Sequence, residues 1–235
     1  MFGAQRLVQS MLDGEAALSQ AQAAQGLVPA AAADAIGQAC DVALYDIAAM
    51  LHAGRRAGSL AIPLVKVLTA AVARRDPQAA RHVHQGSTSQ DILDTAAVLQ
   101  TVRALALLQD GLTRLSTALA ALARTHAATP VLARTLMQPA TVTTFGFKVC
   151  GWLEALQRSQ QALRERSAQA LALQLGGAVG TLAAMGEAGP AVAAHMATAL
   201  GLRQPAHGWH TQRDDWMRLG AEVAILTGSL GKLAT

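Results

Sequence analysis

Apolar side chains recur every three or four residues along most of the chain, which is the spacing of one face of an α-helix. The longest stripe covers residues 89–128, a segment without proline in which Gly111 is the single glycine. A second stripe covers residues 140–173, and a third begins near Arg213. Stripes of this kind predict long helices that pack almost parallel or antiparallel, as in helical bundles.

The N-terminal part has a shorter rhythm. Gly26 and Pro29 end a first helical stretch, because glycine and proline commonly follow a helix C-terminus. Pro63 fits the first turn of another helix that ends near residue 75. Arg55 and Arg56 lie in a glycine-flanked segment, residues 54–58, that predicts a loop. The remaining helices are expected at residues 2–25, 30–38 and 41–53.

Together these elements predict an all-α fold. A small helical N-terminal domain, residues 1–88, precedes a long-helix bundle, residues 89–235, with the boundary near the loop at residues 81–90. The last stripe is still running at Thr235. Bundle helices with uncovered apolar faces need partners, so we expect more helices from a longer parent chain, from other subunits, or from both.

Composition supports a helical globular protein. Apolar residues make up 52% of the 235 residues and aromatic residues 3%, which excludes disorder and an all-β fold. The formal net charge is +4, but the basic residues are dispersed and no aromatic residues alternate with them. This pattern disfavours a nucleic-acid surface and favours a small anionic ligand.

Location can also be predicted from the sequence. The two cysteines, Cys40 and Cys150, are too few for a disulfide framework and lack the spacing of a metal site, which favours a reducing compartment. No signal peptide is recognisable. The longest uncharged stretch, residues 167–186, contains glutamines and glycines and is a poor membrane span. The expected location is the cytoplasm, without membrane contact.

The most informative segment is the polar loop that leads into the longest helix. Thr88 and Asp91 have the spacing of a helix-capping pair. The hydroxyl groups of Ser87, Thr88 and Ser89 lie next to the unpaired N–H groups and the positive end of the helix dipole, so this point could bind a carboxylate or a phosphate. Ordinary helix capping is the alternative, since the same residue types begin most helices.

Four blocks of sequence carry a family resemblance. The blocks are HQGSTSQDILDTA at residues 84–96, RTLMQPA at residues 134–140, LGGAVGTLA at residues 175–183 and HTQRD at residues 210–214. Together they resemble the fumarase/aspartase superfamily, in the branch that contains adenylosuccinate lyases and 3-carboxy-cis,cis-muconate cycloisomerases. They occur in the family's order and at fitting separations, so the resemblance covers nearly the whole chain, whereas any single block would be weak evidence.

The choice within the branch depends on residue 136. Adenylosuccinate lyases carry a histidine after the threonine of the second block, where it takes part in acid–base work. Here the residue is Leu136, which can neither donate nor accept a proton. The resemblance therefore favours the cycloisomerases, and an adenylosuccinate lyase or a related lyase remains the alternative enzyme.

The resemblance implies a reaction in aromatic-acid breakdown. One carboxylate of 3-carboxy-cis,cis-muconate adds across a carbon–carbon double bond to form a carboxylated muconolactone. Such a site must hold several carboxylates and direct fixed donors to the growing charge. No cofactor and no metal are expected. The family's motifs place these residues at the substrate: His84, Thr88, Ser89, Gln90, Arg134, Thr135, Gln138, Gln212 and Arg213.

One of these assignments has a structural alternative, and a neighbouring histidine could suggest a metal site. Arg134 is equally compatible with a structural salt bridge. His82, two residues before His84, could suggest a metal site, but a histidine pair at this spacing is usually incidental without further ligands.

The resemblance also implies an assembly. Superfamily members form homotetramers in which each active site draws residues from three subunits. Their catalytic base is a serine on a mobile loop, which by analogy would lie past Thr235, so we expect this chain to be a fragment with negligible activity by itself. A non-catalytic helical oligomerisation module is the competing hypothesis.

Overall fold

The computed structural model describes residues 2–234, which are mostly helical, so the predicted all-α class is confirmed. The expectations about residues beyond Thr235 lie outside this range. Two strands, β1 (Pro130–Thr135) and β2 (Gln138–Thr144), form an antiparallel hairpin. The α-helices within residues 2–234 are α1 (Ala4–Ala24), α2 (Ala30–Ala39), α3 (Ile47–Ala57), α4 (Ala61–Ala73), α5 (Ser89–Thr125), α6 (Phe145–Ala170), α7 (Gly189–Leu200) and α8 (Asp214–Ala234).

The predicted loop at residues 54–58 is wrong, because α3 continues through Gly54 to Ala57. Gly54 is buried, and a Cβ there would lie 3.1 Å from Leu60 Cδ1, so glycine allows close packing at this position. The helix ends at Gly58, whose φ of 71° is the left-handed conformation typical of a helix C-terminus. The predicted helix over residues 41–53 is also divided, since a short 3₁₀ helix at Val42–Leu44 precedes α3.

The hairpin was not predicted, and residues 140–144 form strand rather than the start of α6. This part of β2 contains Thr141, Val142, Thr143 and Thr144, and β-branched residues favour strands. The turn is formed by residues 136 and 137, which have positive φ angles. The switch to helix follows at once, where Gly146 N donates to His126 O over 2.9 Å.

The chain packs into two compact units. The first contains residues 2–104 and 171–213, and the second contains residues 105–170 and 214–234. These limits differ from the expected boundary at residues 88 and 89, because the first turns of α5 bury Ile92 and Ala96 in the core of the first unit. The division into domains 1–88 and 89–235 stays a prediction.

The core of the first unit is aliphatic. It joins α1, α2 and α4 through fully buried side chains that include Met11, Leu12, Ile36, Leu64 and Leu68. Burying each of these side chains contributes roughly 1.5–3 kcal/mol before the entropy cost of ordering them. Helix α7 packs against α1 in the same unit. The core therefore fixes α1 and the beginning of α5, two of the elements that carry the candidate site.

The second unit contains α6 packed on α8, with the hairpin beside the beginning of α6. Ser116 on α5 donates to Gln160 on α6 over 3.3 Å. Several large apolar side chains of this unit are exposed. They include Leu107, Phe147, Met217 and Ile225. In the part of the chain that is described, no helix has both the length and the apolarity that crossing a membrane requires.

Candidate functional site

One half of the predicted capping pair, the bond to the Asp91 side chain, is present at the beginning of α5. Asp91 Oδ2 accepts a hydrogen bond from Thr88 N over 3.0 Å, and Asp91 N donates to Thr88 O over 3.0 Å. A carboxylate in the first helical turn is also favoured by the positive end of the helix dipole. The local sequence therefore fixes where α5 begins and holds the polar loop before it.

Asp91 does far more than cap the helix. Its side chain is fully buried, and its Oδ1 accepts from Gly176 N and Gln174 Nε2, each over 3.0 Å. Its Oδ2 accepts from Gly177 N over 2.9 Å as well as from Thr88 N. A buried carboxylate costs several kcal/mol unless such donors surround it. Asp91 thereby ties the start of α5 to the glycine-rich segment at residues 175–183.

A second contact between the same elements lies one helical turn further along α5. Thr95 Oγ1 donates to Gln174 O over 2.9 Å and lies 3.2 Å from Gln174 N. Gln174 Oε1 accepts from Trp209 N over 2.7 Å, which orients the amide so that its Nε2 faces Asp91. These bonds join three segments of the first unit into one polar network.

His210 completes this network. Its Nε2 lies 3.1 Å from Asp91 Oδ1 and 3.0 Å from Gln174 Nε2. The ring packs tightly on backbone, since a Cβ on Gly176 would lie 2.5 Å from His210 Cε1. His210 O accepts from Gln90 Nε2 over 3.0 Å. The fourth resemblance block is thus held directly against the first and the third.

Arg213, predicted to contact the substrate, is occupied by the protein itself. Its guanidinium makes a two-pronged ion pair with Asp94, in which Nη2 donates to Oδ1 over 3.0 Å and Nη1 donates to Oδ2. It also stacks on Trp209, with Cζ 4.5 Å from the ring centroid. Gln90 Nε2 donates to Asp94 Oδ2 over 3.1 Å. In this arrangement Arg213 neutralises Asp94 and holds the 210–213 segment on α5.

We expect the Asp94–Arg213 pair to contribute measurable coupling energy, since both side chains are partly buried and the contact is two-pronged. A double-mutant cycle with Asp94→Asn and Arg213→Gln, measured by urea unfolding, should give about 1 kcal/mol. The exposed α8 pair of Asp214 and Arg218 is the matched control and should give roughly 0.5 kcal/mol or less. Equal coupling in the two pairs would contradict this prediction.

His84 is anchored from α1. Its Nδ1 lies 2.6 Å from Glu15 Oε1, and the Glu15 side chain is only 1% exposed. His84 adopts a φ of 59°, an unusual conformation for a residue with a Cβ. The carboxylate of Glu15 therefore holds the ring of a residue in a strained loop.

The pKa of His84 reflects two opposing effects. Burial lowers it, but the hydrogen bond and negative charge of Glu15, with the charge of Asp91, outweigh burial, so the pKa is raised above 6.5. A histidine with a raised pKa in the folded state stabilises the fold fully below its unfolded-state pKa. That contribution is lost as the pH rises from about 6.5 through the raised value.

A cavity of about 550 Å³ opens beside this network. Its wall contains Gln90 and Gln212 of the predicted set, together with His207 and His210. The other lining residues are Ala178, Val179, Gly180, Gly208 and Thr211. Amide and imidazole groups around a cavity of this size suit a small ligand that carries several oxygen atoms.

Arg134, Thr135 and Gln138 lie on the hairpin of the second unit, with exposed side chains. Leu136 and Met137 form its tip and are 92% and 94% exposed. The structural salt bridge considered for Arg134 is not found among residues 2–234. The role of all three residues at a substrate stays a prediction.

Several residues of the network were missed as site residues. The sequence indicates Asp91 only as a helix cap and indicates no role for Thr95 and Gln174. A signal for Glu15 exists in the sequence, because it is a carboxylate between Met11 and Leu18 on the apolar face of a predicted helix. Among the described residues, no three His, Cys, Asp or Glu side chains form a group that could hold a metal ion.

Comparison with known proteins gives consistent results. Residues 2–235 match the family model described as lyase. A 3-carboxy-cis,cis-muconate cycloisomerase from Bradyrhizobium diazoefficiens is 49% identical over 227 residues, which are 97% of this chain and 50% of the relative. The corresponding protein from Pseudomonas aeruginosa is 49% identical over 232 residues, which are 99% of this chain and 50% of the relative.

A solved structure agrees with these relatives. The crystal structure of 3-carboxy-cis,cis-muconate lactonizing enzyme from Pseudomonas putida superposes with a TM-score of 0.96 at 45% identity. It covers 99% of this chain and 53% of the solved chain. The chain thus spans about half the length of the relatives that it matches.

Proposed function

We propose, on the premise that this chain belongs to the lyase family and its fumarase/aspartase superfamily, that the whole protein is a 3-carboxy-cis,cis-muconate cycloisomerase. It would close 3-carboxy-cis,cis-muconate to a carboxylated muconolactone by addition of a carboxylate to a double bond. The observation that carries the proposal is 49% identity, across 97% of this chain, to a relative named for this reaction. Because the chain spans half of that relative, the activity is proposed for the whole protein.

The chemistry of the first unit is compatible with this substrate. A carboxylate that attacks its own double bond must be held in an attacking position, while the other carboxylates must be bound and kept apart. The beginning of α5, the amide of Gln212 and the ring of His84 offer donors for this purpose. We assign substrate contacts to His84, Thr88, Ser89 and Gln212. Gln90 would act by positioning, because its Nε2 donates to His210 O and Asp94 Oδ2, and Arg213 would act through its pair with Asp94.

Arg134, Thr135 and Gln138 would join the substrate in an assembled homotetramer. Support comes from the large apolar side chains that α6 and α8 expose, such as Phe147, Met217 and Ile225, since contacts between subunits would remove them from water. The same surface would suffice for the alternative function, a non-catalytic oligomerisation module. Size-exclusion chromatography with light scattering tests the assembly, and a monomeric whole protein would contradict it.

Leu136 separates this proposal from an adenylosuccinate lyase. Its side chain has no group that can transfer a proton, and it lies at the exposed hairpin tip. An enzyme that depends on an acid–base histidine at this point would lose that function with leucine. The residue therefore supports the cycloisomerase over the lyase.

The direct test is turnover by the purified whole protein. Ring closure destroys the conjugated diene, so ultraviolet absorbance should fall when 3-carboxy-cis,cis-muconate is added, and adenylosuccinate should remain unchanged. Turnover of adenylosuccinate alone would favour the lyase. Oligomerisation without turnover of either compound would favour the module.

A substitution sharpens this test. Replacing Thr88 by Val removes a hydroxyl beside the N-terminus of α5, and we expect kcat/KM to fall about tenfold if that hydroxyl binds a substrate carboxylate. Thr117→Val is the matched control, because Thr117 is exposed on α5 and its hydroxyl donates to Thr113 O one turn earlier in the same helix. Equal kinetics for the two variants would remove Thr88 from the site.

A further inference from the structure

Glu15 lies in an unusual place for a carboxylate. It is in the middle of α1, 1% exposed, on the helix face that also buries Met11, Leu12 and Leu18 in the protein interior. Moving an ionised carboxylate from water to such a position costs several kcal/mol unless a partner compensates. A buried carboxylate is therefore tolerated when a neighbouring group donates a hydrogen bond to it or balances its charge.

Among the described residues, one of the two carboxylate oxygens of Glu15 has a hydrogen-bond partner and the other has none. Its Oε1 contacts His84 Nδ1 at 2.6 Å, whereas its Oε2 is buried and has no hydrogen-bond partner among the described residues. The negative charge is therefore balanced chiefly by the ring of His84. An imidazolium does this better than a neutral imidazole, because only the charged ring forms a full ion pair.

Helix α1 also fixes the backbone around His84. Gln22, two helical turns beyond Glu15, donates from Nε2 to Gln85 O over 2.7 Å. Together, Glu15 and Gln22 hold the strained loop at two adjacent residues. The direction of the His84 ring is thus set by α1 as well as by the loop's own turn.

The hydrogen bond determines which nitrogen remains available. A carboxylate only accepts, so Nδ1 of His84 carries its proton toward Glu15, and Nε2 is left for another partner. The charged groups that act on this ring are Glu15 from α1 and Asp91 from α5, and both favour its positive form. His82, the neighbouring histidine, is directed elsewhere by its 2.7 Å contact with Gln85 Oε1.

From these contacts we infer that Glu15 is a positioning residue for the proposed reaction. It holds His84 as an imidazolium whose Nε2–H is offered to a carboxylate of the substrate. This inference rests on the proposed function for the identity of the substrate. The link between Glu15 and the charge of His84 stands apart from that identity.

The first experiment measures the charge of His84 directly in the whole protein. Ring signals are followed by NMR against pH and assigned to His84 by their loss in His84→Gln. In the unsubstituted protein, most molecules should have His84 protonated on both ring nitrogens at pH 6.5, because its pKa is raised. A His84 ring that is mainly neutral at that pH would overturn the inference without any variant of Glu15.

Glu15→Gln removes the charge and keeps an acceptor of the same size, so the His84 titration midpoint should move to lower pH. Gln22→Leu is the matched control, because it removes the other contact between α1 and the loop but leaves the charge. It should leave the midpoint unchanged. An unchanged midpoint in Glu15→Gln, or an equal shift in both variants, would overturn the inference.

Kinetics with 3-carboxy-cis,cis-muconate connect the charge to the substrate. In Glu15→Gln, we expect KM to increase about tenfold. As the pH rises, the variant should begin to lose activity at a lower pH than the unsubstituted protein. A shifted titration with unchanged KM would show that His84 does not bind the substrate. Absence of turnover in the unsubstituted protein would refute the proposed function, and the titration would still decide whether Glu15 controls His84.

Discussion

Replacing Asp91 by Asn should lower the free energy of unfolding by about 3–5 kcal/mol, because it removes a buried carboxylate and leaves backbone N–H donors without their acceptor. Both carboxylate oxygens accept from backbone N–H groups, Oδ1 from Gly176 and Oδ2 from Gly177 and Thr88. In whichever orientation the Asn amide lies, its NH₂ group faces a backbone donor. A neutral side chain of the same size therefore cannot restore these hydrogen bonds.

Urea unfolding followed by circular dichroism measures the loss. Asp110→Asn is the matched control, because this substitution removes the same charge at an exposed position of the same helix. We expect it to change stability by about 0.5 kcal/mol or less. A loss of under 1 kcal/mol in Asp91→Asn would show that water replaces the carboxylate and that Asp91 does not organise the network.

Gly176→Ala should cost about 2–3 kcal/mol, in the upper part of the range for overpacking. The new Cβ would lie 2.5 Å from His210 Cε1 and 3.1 Å from Gly180 Cα, so the ring must leave its place beside Asp91. The φ angle of Gly176 is not in the left-handed region, so the cost is steric.

The steric origin can be tested by rescue. In a His210→Ala background the clash is largely removed, so Gly176→Ala should then cost less than about 1 kcal/mol. Gly111→Ala is a control for the effect of alanine itself, because among residues 2–234 nothing outside the helix's own backbone lies within 4 Å of a Cβ there. It should stabilise the exposed helix by roughly 0.5–1 kcal/mol. A cost for Gly176→Ala that persists without the His210 ring would contradict the steric explanation.

Local signals in the sequence predicted the helices and the beginning of α5. Periodicity and capping depend on residues within one or two turns of each other. Thr88 N and the Asp91 carboxylate that accepts from it, for example, lie within four residues. The hairpin was not predicted, because two local signals conflict there. The β-branched residues before Phe145 favour a strand, but the periodic apolar pattern of the following helix extends across them.

The polar network could be predicted only in part, because its partners are distant in the sequence. The resemblance indicated that residues 84–96, 175–183 and 210–214 matter, but no spacing rule shows that Asp91 receives the amides of Gly176 and Gly177. The sequence does not indicate the ion pair of Asp94 and Arg213 for the same reason, and a contact of Arg213 with the substrate stays a prediction. Long-range contacts of this kind are set by the fold as a whole.

The sequence distance within the network also has a consequence for how the protein is made. Asp91 meets its amide donors 85 and 86 residues later, so a ribosome completes the whole intervening α5–α6 excursion before the carboxylate is satisfied. Closing a loop of that length costs about 4 kcal/mol of chain entropy. A nascent chain that stops short of residue 176 therefore leaves Asp91 with its local bond from Thr88 N but without the amides of Gly176 and Gly177.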